Sequence, residues 1–134
     1  MKVFNEQGAV QFLKDIRKPL LSLHKSILDH ERAEYEKTFG AVTPTAFLQE
    51  LIGGTRFRWL SPLSTAIANI DELLDDEKAT ADDKIAGAQA IAALFATDAP
   101  DSPFRQRYLA LLQESPDILH EHGRIVQALR SLAD

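Results

Sequence analysis

The chain has no cysteine. That excludes disulfides, thiolate catalysis and cysteine-ligated zinc or iron–sulfur centres, and it fits a reducing compartment. Long apolar runs are also missing. The longest unbroken one, Ala90 to Ala96, is far short of the ~20 residues needed to cross a bilayer. The opening stretch MKVFNEQGAVQF lacks the apolar core of a signal peptide. Positive charge is scarce: the net charge is −5, which disfavours binding to nucleic acid or an anionic membrane, because phosphate affinity needs clustered Lys and Arg. Glycine-built motifs are absent as well. There is no Gly-x-Ser-x-Gly elbow, no phosphate loop and no dinucleotide fingerprint. The expectation is a soluble cytoplasmic protein with no membrane segment, no nucleic-acid partner and no implied cofactor.

Helical periodicity fills the space these absences leave. With 134 residues, 45% hydrophobic and 26% charged, the chain has the size and composition of one globular domain over residues 1–134. No stretch alternates as a strand does. Leu13, Ile16, Leu20, Leu23 and Ile27 recur at steps of three and four, one helical seam. Pro19 falls inside that seam and predicts a kink, or two helices meeting near Arg17–Lys18. Gly40 supplies a stop.

Proline then marks a series of short helices. Thr43–Pro44 is a start and Gly53–Gly54 an end. Ser61–Pro62 opens the next, or the helix begins earlier, near Arg56, with Leu63, Ile67, Ile70 and Leu74 on one face. Ser61 and Ser64 read as helix-start residues with no nucleophilic work. Thr80 with Asp83 has capping-box spacing, and the small residues of IAGAQAIAALFA allow a close neighbour. Ser102–Pro103 and Ser115–Pro116 start two more. The fold class predicted is all-α: a single-domain bundle of five to seven helices.

Two phrases, LHKSILDHERAEYE and FRWLSPLSTAIANIDELL, resemble segments of a small family of uncharacterised all-helical bacterial proteins with no known activity. The likeness covers roughly residues 20–76, and more loosely the C-terminal part. It implies a helical fold and no functional residues.

The histidines and acids of the first phrase invite a metal reading. A carboxylate-bridged di-iron bundle needs inward Glu residues and paired Glu-x-x-His motifs. Here there are only Glu31-x-x-Glu34 and Asp117-x-x-His120, and His120 lies on the polar stripe Gln113, Asp117, His120, Arg124, Gln127. His30 and Glu34 share another wet face with Ser26, Asp29 and Lys37. No metal site is therefore expected. His24 and Glu31 differ, because they sit on the stripe Leu21, His24, Leu28, Glu31, Tyr35 beside the apolar seam. His122 interrupts Leu119, Val126 and Leu129, with Gly123 leaving room for a neighbouring backbone, and Asp71 lies between Ile67 and Leu74. These four, His24, Glu31, Asp71 and His122, are the candidate ligand-binding or buried polar cluster. The expected contacts are His24 or His122 with Asp71, and Glu31 with Arg56 or Arg58.

A second candidate is Arg56, Phe57, Arg58 and Trp59, residue types common at interfaces and at base-stacking sites. Phe57, with Trp59 or Leu60, is expected to plug the core instead, and a protein partner fits this acidic chain better than RNA. No catalytic residue is assigned and a non-catalytic role is favoured. The functional expectation is a structural or protein-interaction module that self-associates as a dimer, through the Leu20–Ile27 seam or the Ala81–Ala96 helix. The alternative is a ligand- or metal-binding bundle, possibly an enzyme, built on the His/acid cluster.

Overall fold

A computed structural model describes residues 5–133, with side chains described for 5–130. Among these residues there are six α-helices, one short 3-10 turn and no strand. The helices are α1 (Glu6–Phe39), α2 (Pro44–Gly53), α3 (Ser61–Asp75), α4 (Ala81–Leu94), α5 (Pro103–Glu114) and α6 (Pro116–Ala133), with the 3-10 turn at Arg58–Leu60 leading directly into α3. No helix among the described residues is long and apolar enough to cross a membrane.

The starts and stops follow local chemistry. Asn5, Thr43 and Ser102 each accept a backbone N–H from the first turn they precede. Thr80 and Asp83 form the reciprocal capping box, at 3.1 and 3.0 Å. Ser115 is the single residue between α5 and α6; its hydroxyl accepts from the Ile118 N–H. Gly40 ends α1 at φ 85°, a backbone that disfavours other residues.

The long α1 is the axis of the fold. Its 34 residues span about 50 Å, and α3, α4 and α6 all pack against it. Leu13, Ile16, Leu20, Leu23 and Ile27 are fully buried there and join Leu63, Ile70, Ile91, Leu111, Ile118 and Ile125 in one continuous core. Two helices do not meet near Arg17–Lys18: one helix runs unbroken through Pro19. Proline inside a helix costs about 3 kcal/mol. Ile16 and Leu20 on either side are fully buried, each contributing roughly 1.5–3 kcal/mol, so burial outweighs the lost hydrogen bond.

That burial corrects one expectation. The Leu20–Ile27 seam cannot be a pairing surface, because the chain's own helices fill it. The Ala-rich helix α4 likewise turns Ala88 and Ile91 into the core and leaves Ala86, Ala90 and Ala93 outside. Its small residues serve close packing: a side chain at Gly87 would collide with Leu73 of α3.

Candidate functional site

The sequence-derived polar residues do not meet one another. Each pairs with a different element. Arg17 Nε donates to Asp71 Oδ1, and His24 Nε2 shares a 3.1 Å hydrogen bond with Ser64 Oγ. Both links join α1 to α3, and their order, 17 with 71 and 24 with 64, makes the two helices antiparallel. Arg107 Nη2 of α5 donates to Glu31 Oε1 at 2.6 Å, and Tyr108 of α5 pairs with His122 Nδ1 of α6 at 2.6 Å. The expected contacts of Asp71 with a histidine, and of Glu31 with Arg56 or Arg58, are therefore replaced.

The reason is reach across the fold. Arg17 lies one helical face from Asp71, and a guanidinium satisfies a half-exposed carboxylate better than a neutral imidazole. Arg107 holds Glu31 and, at 2.8 Å, Glu114, and His30 Nε2 lies 3.3 Å from the same Glu114. His30 is thus enclosed, its side chain 18% exposed, and not on a wet face. Burial alone would raise the Glu114 carboxyl, but the hydrogen bonds from Arg107 and His30 prevail and lower it. His120 is exposed, as its stripe requires. Gly123 faces open space, so no backbone approaches His122 there.

Burial holds His24 and His122 below the usual imidazole pKa and pushes the Tyr108 phenol up. At neutral pH these are uncharged pairs that stitch helices together. Ser64 is not a capping residue. Its hydroxyl lies 3.5 Å from the Leu60 carbonyl, to which it donates, the back-bond common to helical serines. The direction of its bond to His24 follows from which ring nitrogen carries the proton. A nucleophile–base pair would need the hydroxyl proton aimed at the imidazole and an acid behind the ring. Among the described residues no carboxylate bonds His24.

The TRFRWL segment divides as its apolar residues require. Phe57 and Leu60 are buried. Trp59 packs on the core, its ring 6.3 Å from Phe104. Arg56 lies over Phe39, 4.8 Å from the ring centre, and Arg58 is exposed.

What sequence patterning missed is the concavity beside this segment. A groove of about 450 Å³ runs between α1, α2 and the start of α3. Its walls include Leu28, Leu48, Leu51, Ile52 and Phe57, with His24 and Ser64 also lining it. Leu48 is 53% and Ile52 78% exposed. A second, more polar cleft of about 490 Å³ holds the Arg107–Glu31–Glu114 cluster with Tyr35, Arg56 and Trp59. Among the described residues no set of three His, Asp or Glu side chains could hold a metal ion.

Comparison of this chain with protein-family models, with curated proteins and with solved structures gives no match.

Proposed function

We propose that this protein is a non-catalytic helical interaction module that pairs with a second copy of itself through α2. The observation that carries this reading is the exposure of Leu48 and Ile52, four residues apart on one face of a ten-residue helix. Apolar residues clustered on an exposed helix face mark docking surfaces. A two-fold arrangement of α2 against α2 sets Leu48 of one copy near Ile52 of the other, the self-complementarity that a symmetric dimer needs.

Sedimentation velocity over a concentration series tests the proposal. The expected result is a monomer–dimer shift that Ile52→Glu removes while circular dichroism stays unchanged. A wild-type chain that remains monomeric throughout overturns it.

A further inference from the structure

We infer that the groove between α1, α2 and α3 takes an aliphatic carboxylate, with the hydrocarbon chain on the Leu28, Leu48 and Ile52 wall and the carboxylate on Arg58. At about 450 Å³ its volume lies within the roughly 300–1,000 Å³ of small-molecule sites. Leu28, Leu48, Leu51, Ile52 and Leu60 give the lining five branched aliphatic side chains, a wall that suits a flexible apolar chain. Arg58 is its sole formally charged residue. No carboxylate pairs with that guanidinium among the described residues, whereas Arg17, Arg32, Arg107 and Arg124 each hold an acid. A free arginine beside an apolar wall is complementary to one anionic head on one apolar tail. His24 adds no competing charge, since burial favours its neutral form, and its Nε2 is engaged with Ser64. The lining itself contains no acid; the Glu50 carboxylate sits beside Gly54 at its edge.

This inference does not rest on self-association, with which it competes for Leu48 and Ile52. It is tested by calorimetric titration of the full chain with decanoate, at a protein concentration where sedimentation gives the monomer. Decanol and acetate serve as the head-only and tail-only deletions. Saturable binding of decanoate is expected, weakened about tenfold by Arg58→Gln or by exchange for decanol, in keeping with loss of one charge-assisted hydrogen bond. Acetate should give no heat. In methyl NMR spectra decanoate should shift Leu48 and Ile52 and leave Leu109 and Leu119, exposed elsewhere on the surface, unmoved. Equal affinity for decanol and decanoate, indifference to Arg58→Gln, equal shifts at Leu109 and Leu119, or no binding by monomer would each overturn the assignment.

Discussion

The α1 axis and the α2 corner use the same aliphatic residues to opposite ends. Along α1, Leu13, Ile16, Leu20, Leu23 and Ile27 have no exposed surface, and three other helices cover them. At α2 only Phe47 is buried, while Leu48 and Ile52 stand in solvent. One region's apolar surface is consumed in folding; the other's is left exposed. The difference arises from length. A helix of 34 residues can offer several faces to several partners, whereas the ten residues of α2 end at Gly53–Gly54 before a second face is covered.

Substitutions should separate the regions. The largest effect is expected on the axis: Leu23→Ala removes a fully buried side chain and should cost about 3 kcal/mol in urea unfolding. A value below about 1 kcal/mol would mean that the axis tolerates cavities as a surface does. Next comes the ion pair that closes the axis at its C-terminal end. Glu31→Gln leaves Arg107 with Glu114 only, and a loss of about 1–2 kcal/mol is expected, since Arg107 remains partly solvated. The double variant Glu31→Gln with Arg107→Met should recover part of it. No recovery would show that the pair is not coupled.

The pH effect is smaller. Burial lowers the folded-state pKa of His24 and His122, so between the folded and unfolded values the unfolded chain binds more protons. Stability should be full above the unfolded imidazole value of about 6.5 and fall as pH drops below it. His122→Phe should flatten that slope, and chemical denaturation at a series of pH values measures it. The smallest change in stability is expected at the corner: Ile52→Gln should stay within about 0.5 kcal/mol of wild type, even where it abolishes the proposed pairing. A large loss there would show that α2 is part of the cooperative core.

Much of this fold was legible in the sequence. The Leu13–Ile27 seam, the capping box at Thr80–Asp83 and the serine–proline starts of α5 and α6 all appear where pattern and capping chemistry put them, because each depends on neighbours within a turn or two. Pro19 does not divide α1 in two. Local propensity counts the lost hydrogen bond and is blind to the burial on either side. Each of the four polar residues has a partner on another helix, but none has the partner expected. Arg17 and Arg107 look like ordinary surface cations in their own helices, and only the antiparallel packing of α3 and the placement of α5 bring them to Asp71 and Glu31.

The sequence by itself determined that this chain is helical, where most helices begin and end, and which face of α1 is apolar, since those are matters of backbone capping and a period of 3.6 residues. Tertiary structure alone decided which acid meets which base, that the α1 seam is consumed internally, and that α2 leaves a groove with Arg58 unpaired. Those outcomes depend on separations of up to 84 residues, and side chains so distant along the chain become neighbours only once the helices have chosen their crossings.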